Sequence, residues 1–155
     1  MELLEAAFGY ARRRVADRST AEALTVAALV EAGLGRGERI DRAAAFRALA
    51  RSLAELSEPL ADDPDGPAMA LFAQALEPGL LDAFERLDLE RRRVLTLYYL
   101  DRLAATEMAA LLGTRAAAVQ SRLAAALRAL ERPRPGSGHG GSRRSDAADE
   151  AVSAA

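Results

Sequence analysis

Residues 103–130 read LAATEMAALLGTRAAAVQSRLAAALRAL, and this stretch restricts the fold more than any other part of the chain. Ala109 is small where a second helix has to cross closely. Gly113 follows the apolar pair Leu111 and Leu112, where a helix ends and the backbone needs a positive φ that glycine adopts without steric cost. Val119 comes six residues later, and Leu123, Leu127 and Leu130 continue its apolar stripe at helical spacing. A small residue, a glycine turn and a β-branched anchor in this order predict a helix-turn-helix. The second helix of that motif can lie in a DNA major groove. The same local spacing is also met by an antiparallel helix pair in an alanine-rich protein, so the flanking residues have to decide.

They do so through a longer similarity. Residues 84–130, FERLDLERRRVLTLYYLDRLAATEMAALLGTRAAAVQSRLAAALRAL, resemble region 4 of the extracytoplasmic-function sigma factors, small members of the bacterial sigma-70 family. That family has a leucine-rich helix with charged residues at its start, then a helix of the type EIAxxLG, then a recognition helix containing VKSRLxRAR. The corresponding residues are 91–100, then Glu107-Met108-Ala109-Ala110-Leu111-Leu112-Gly113, then Val119-Gln120-Ser121-Arg122-Leu123. The resemblance implies DNA contacts from Arg91, Arg92, Thr114, Arg115, Gln120, Ser121 and Arg122. Thr114 is expected to cap the recognition helix and aim its free N–H groups at a phosphate. Gln120 can bond adenine at two points, Arg115 and Arg122 can bond guanine or phosphate, and Ala117 and Ala118 can pack on a thymine methyl. Two departures weaken the grip. The family places Lys or Arg where Gln120 stands and arginine where Ala125 stands, so the salt dependence of binding is expected to be shallow. Ala104 replaces a capping serine, at a cost of about 1 kcal/mol.

The N-terminal part resembles region 2 of the same family, more distantly. The run ARRRVADRSTAEAL, residues 11–24, is similar to the family's ARRRxGDRxDAEDL, and Ala50-Arg51-Ser52-Leu53-Ala54 to ARNLA. Where the family carries an acidic patch that docks on RNA polymerase core, this chain has Ala23, Val26 and Ala27. Ala45 stands in place of a tryptophan, leaving Phe46 as the nearby aromatic, and Glu55, Ser57, Glu58 and Pro59 replace a basic segment. Promoter melting needs aromatic side chains against unpaired bases and cations along the strand, each stacked base being worth about 1–3 kcal/mol. Phe46, Arg47 and Arg51 are the residues left for downstream-promoter contacts. A divergent melting domain and a helical remnant kept for packing both fit.

The expected fold is all-α. Residues 1–57 form a region-2-like three-helix domain, with helices to about residue 32, broken near Asp17 and capped by Ser19 or Thr20, and from 41 to 56. The last of these buries Phe46, Leu49, Ala50, Leu53 and Leu56. Residues 58–79 form an acidic, proline-containing linker, with a short helix at 69–76. Residues 80–132 form the region-4-like domain, in which Asp88 caps the helix carrying Arg91–Arg93. Tyr98 and Tyr99 are expected at the core and its rim. Residues 133–155, rich in Gly, Ser and charge, read as a disordered tail that includes His139 and the pair Arg143 and Arg144.

Charge decides where nucleic acid can bind. The net charge is −2, so the chain is not broadly basic, and all 21 basic residues are arginine. Residues 84–130 carry eight arginines against five acids, whereas residues 59–83 carry five acids and no arginine. The positive part coincides with the proposed DNA-binding part. The chain has no cysteine, one histidine, no metal-ligand cluster, no phosphate-binding glycine loop and no nucleophile beside a base, so an enzyme, a metal or a cofactor is not expected. No apolar run approaches the roughly 20 residues of a membrane span, and no signal peptide is visible, which reads as a cytoplasmic protein. The resemblance implies RNA polymerase core and promoter DNA as partners, an anti-sigma factor as a further one, and no membrane or small-molecule substrate. The leading expectation is a sigma factor. The alternatives are a sigma-like DNA-binding regulator that no longer melts promoters, and an interaction protein that engages an anti-sigma factor.

Overall fold

The structure is a computed structural model that describes residues 2–56 and 64–131. The described residues form eight α-helices and no strand: α1 (Glu2–Arg12), α2 (Arg18–Glu31), α3 (Arg42–Leu56), α4 (Gly66–Gln74), α5 (Pro78–Glu85), α6 (Leu89–Tyr99), α7 (Ala105–Leu112) and α8 (Ala116–Glu131). The all-α expectation holds. The tail at 133–155, His139 included, and the first part of the expected linker lie outside the described residues.

Local chemistry sets most of the helix ends. The break before α2 is where the sequence places it, but the cap is Asp17 rather than Ser19 or Thr20. The Asp17 carboxylate accepts from the Thr20 amide at 2.9 Å and from the Ser19 and Thr20 hydroxyls at 2.6 and 2.7 Å. A carboxylate is the better acceptor, and the hydroxyls serve it as donors. Those donors hold the Asp17 carboxyl well below its ordinary pKa of 3.8. Asp88 caps α6 as expected, accepting from the Arg91 amide at 2.9 Å. In α4 the helix begins at Gly66, ahead of the expected residue 69. Pro67 sits in its first turn, where a missing N–H costs nothing, so this proline starts a helix instead of breaking one.

Two apolar clusters hold the helices. One draws on both ends of the chain: Tyr10 and Ala11 of α1, Phe46, Leu49 and Leu53 of α3, Val94 and Leu97 of α6, Met108 and Ala109 of α7, and Val119 of α8. Phe46 meets the Tyr10 ring edge-on, with centroids 5.5 Å apart. The other lies under α8, where Phe84, Leu87, Leu95 and Ala126 are buried with Phe72, Leu123 and Leu127 against them. Tyr99 stacks on Phe72 and stays 47% exposed, and Tyr98 is 42% exposed, so both belong to the rim. On α3 the expected inward face is nearly right. Phe46, Leu49 and Leu53 are buried with Ala45 and Ala48, Ala50 is half-buried, and Leu56, in the last turn, remains 55% exposed.

Arg102 joins α6 to α7 in the left-handed region, with φ 55°. The Leu103 amide reaches back to the Leu97 carbonyl at 3.1 Å. The turn buries Asp101 and Leu103 on either side while Arg102 stays outside.

Candidate nucleic-acid interface

The helix-turn-helix is formed by α7 and α8. Gly113 ends α7 with φ 63°, its amide bonded to the Ala109 carbonyl. The Thr114 amide shares that acceptor at 3.0 Å, which turns the chain sharply into α8. A Cβ built on Gly113 would meet nothing within 4 Å, so the residue is dictated by its backbone conformation and not by crowding. At the start of α7, Glu107 reaches back to the Ala104 amide at 3.0 Å. This is one half of a capping box, the other half being lost because Ala104 has no side-chain acceptor.

The α8 side chains divide as the helical period requires. Val119 and Ala126 are buried, and Leu123, Leu127 and Leu130 are half-buried against the two clusters. Arg115, Ala117, Gln120 and Ser121 are exposed together near the N-terminus, with Ala118 and Arg122 half-buried beside them. Five of the six are within one and a half turns, a patch sized for the edges of a few base pairs. Thr114 is not the cap. The first carbonyl of the α8 ladder belongs to Arg115, which accepts from Val119 at 3.1 Å, and the helix begins at Ala116. Arg115 thus stands at the cap position, and Thr114 is fixed through its amide.

The arginines of α6 differ among themselves. Arg91 is exposed, near Asp88 at 3.5 Å. Arg92 is half-buried, with its Nε turned away from solvent. Arg93 pairs with Asp65 at 2.9 Å and joins the interior network described next. Arg91 is therefore the member of the run best placed to meet a phosphate.

Sequence reasoning missed a chain of ion pairs between the two halves. Arg14 grips Asp101 through Nη1 at 3.1 Å and Nη2 at 2.8 Å, and its Nε donates to Asp65 at 2.7 Å. Arg13 adds a bond to Asp101 at 2.9 Å. Both side chains of the central pair are essentially inaccessible, at 1% for Arg14 and 0% for Asp101. Burial alone would lower the Arg14 pKa, but its hydrogen bonds to the Asp101 carboxylate and the nearby charge of Asp65 more than reverse this, and the guanidinium stays charged. It also lies 3.7 Å from the centre of the Tyr10 ring. Arg42 of α3 bonds Glu107 of α7 at 2.6 Å, again across the halves. One signal was available: Ala7, Ala11 and Arg14 share a helical spacing, which places one member of the arginine run on the buried side.

The residues proposed for downstream-promoter contact all lie on α3, but the helix turns Phe46 inward and Arg47 and Arg51 outward. Phe46 is fully buried and cannot reach a base in this packing, because its ring fills the core against Tyr10. Arg51 is exposed but bonds Glu31 at 2.7 Å, and Arg47 is exposed. Among the described residues, no group of three or more His, Asp or Glu side chains could hold a metal ion, and no helix is long and apolar enough to cross a membrane.

Residues 79–130 match the family model described as Sigma-70, region 4. The match covers about a third of the chain, and over that segment the protein is similar to sigma-70 region 4. The match begins in α5 and ends in α8, so it takes in the glycine turn and the whole exposed patch of the recognition helix. Region 4 binds DNA through its helix-turn-helix, a regulatory role and not a catalytic one. No curated protein and no solved structure matches the chain.

Proposed function

We propose that the protein is a sigma factor of the extracytoplasmic-function type, which directs RNA polymerase core to promoters by reading the upstream element with α8. The observation that carries this is the region 4 domain with Arg115, Gln120, Ser121 and Arg122 displayed on the outward side of its recognition helix. Thr114 and the arginines of α6, Arg91 foremost and Arg92 beside it, supply phosphate contacts around that patch. The N-terminal helices correspond to region 2 and the stretch at 58–79 to the link between the two domains. The same reading makes the protein cytoplasmic, with promoter DNA and polymerase core as partners and an anti-sigma factor as its regulator.

In-vitro transcription with core polymerase from the native host, paired with permanganate footprinting of unpaired thymines, tests the proposal. The promoter upstream of the protein's own gene is the first template. A start-specific transcript with a melted bubble is expected, and failure to bind either core or promoter would overturn the reading.

The burial of Phe46 favours a second reading, a sigma-like DNA-binding regulator that has lost promoter melting. Promoter binding without a bubble would select it.

A further inference from the structure

The arginines of the recognition helix differ from those of the N-terminal helices. Arg14, Arg42 and Arg51 each pair with a carboxylate, whereas Arg115, Arg122 and Arg128 make no ion pair among the described residues. The helix itself carries no acid until Glu131 closes it. Arg115 and Arg122 already belong to the exposed patch near its start. Arg128 does not, and it is exposed in the last turn.

Helical spacing puts Arg128 in register with that patch. It comes seven residues after Ser121 and eleven after Ala117, about two and three turns, so the three lie along one line. The opposite side of α8 is taken by Val119 and Ala126, which are buried, and by Leu123 and Leu130, which are half-buried. The line therefore points away from the core. Between Ser121 and Arg128 its positions are Ala124 and Ala125, with nothing beyond a methyl group. A helical side chain leans toward the N-terminus of its helix and covers the turn ahead of its own Cα. Arg128 thus leans over the two alanines, where no larger side chain competes with it.

The distance suits one ligand. Ser121 and Arg128 are about 10 Å apart along the axis, close to the roughly 12 Å width of the major groove. With Gln120 and Ser121 at the base edges, Arg128 comes to the wall of the same groove. That wall is sugar and phosphate, and a guanidinium binds phosphate through paired N–H donors.

We propose that Arg128 is a phosphate contact that anchors the C-terminal end of α8 to the duplex and leaves base reading to the first turns. The inference rests on the reading of α8 as a DNA-binding helix and adds a positioning residue to it. A cation in the last turn also suits the helix dipole, but that role is independent of DNA and leaves the salt dependence of binding unchanged.

Wild type, Arg128→Ala and Arg128→Lys are titrated at several salt concentrations with two duplexes. One carries the promoter region upstream of the protein's own gene, and the other is a scrambled duplex of the same length. Arg128→Ala is expected to weaken both by about eightfold at 0.1 M salt and to lower the salt slope by about 0.9, the values for one lost phosphate. Arg128→Lys keeps the charge and is expected to restore most of both. Duplexes with single phosphates replaced by neutral methylphosphonate locate the contact: one replacement is expected to weaken the wild type and leave Arg128→Ala unmoved. Since the side chain is exposed, the circular dichroism of the variants is expected to match the wild type. Wild-type affinity and slope in Arg128→Ala, while Arg115→Ala weakens binding, would overturn the inference and leave the reading of α8 intact. A loss confined to the promoter duplex would make Arg128 a base-reading residue and overturn the phosphate assignment. A wild type that binds neither duplex overturns the reading of α8 and this inference with it.

Discussion

Arg14 and Asp101, 87 residues apart in the chain, meet in a two-point ion pair that is shut off from solvent. One residue follows α1 and the other follows α6, so the pair fastens the N-terminal helices to the helices that carry the helix-turn-helix. Removing one partner leaves the other charged and buried. Asp101→Ala is expected to destabilise the fold by about 3–5 kcal/mol in urea unfolding. Replacing both residues together, as Arg14→Met with Asp101→Leu, should cost less than Asp101→Ala alone, because the two fully buried charges leave together, Asp65 keeps Arg93 and the partly exposed Arg13 can turn to solvent. An Asp101→Ala protein as stable as the wild type would show that the pair contributes nothing.

The opposite sign is expected at Ala104. Its backbone, φ −71° and ψ 157°, already has the shape of a helix cap, and Glu107 already bonds its amide. Ala104→Ser adds the missing acceptor and should stabilise the protein by about 0.5–1 kcal/mol, seen as a raised denaturation midpoint. DNA affinity should change little, since the substitution lies at the start of α7 and not on the exposed patch of α8.

Tyr10 sets an alkaline limit. Burial pushes its phenol well above the ordinary value of 10.0, and the attraction of Arg14 for the phenolate offsets this only in part. The folded state therefore holds the proton more tightly than the unfolded chain does. That contribution is complete below pH 10.0 and is lost progressively as the pH rises past it. Urea midpoints followed from neutral pH into this range should fall, and Tyr10→Phe should flatten the fall. An identical alkaline slope in both proteins would assign the loss to other groups.

On DNA, the polar residues of α8 should separate by role. Arg115→Ala and Arg122→Ala are expected to weaken binding to all duplexes and to lower the salt slope by about 1 where the lost contact was to a phosphate. Gln120→Ala should instead relax the preference at one base pair by about 1–3 kcal/mol. Titrations of specific and scrambled duplexes at several salt concentrations measure both effects. A Gln120→Ala protein with unchanged sequence preference would remove that residue from base reading.

The sequence carried the helix-turn-helix because its constraints are local. Gly113 needs a left-handed backbone, Val119 and Leu123 repeat at helical spacing, and each requirement acts within a few residues. Asp88 was legible as a cap for the same reason. Asp17 was passed over because the two hydroxyl residues beside it look equally suited, and only the geometry shows them donating to the carboxylate. Pro67 was placed in the linker ahead of the helix expected at 69–76, because proline suits a tether and the first turn of a helix equally well. The joining of the two halves was hidden more deeply. Nothing near Arg13, Arg14 or Asp101 in the chain signals that they pair, and only the fold brings them together. The same holds for Arg42 and Glu107, and for Phe46, whose aromatic ring suits a base or a core equally well until its surroundings are known.

The core shared by α3 and α7 also bears on how the chain is made. Phe46, Leu49 and Leu53 leave the ribosome well before Met108 and Ala109, which pack in the same cluster. The gap is about 60 residues, or roughly 3–12 s at synthesis rates of about 5–20 residues per second. Over that interval the nascent N-terminal helices present an apolar surface whose partner has not yet been translated. The newborn chain is thus most prone to aggregation, and most in need of a chaperone, just before the helix-turn-helix emerges.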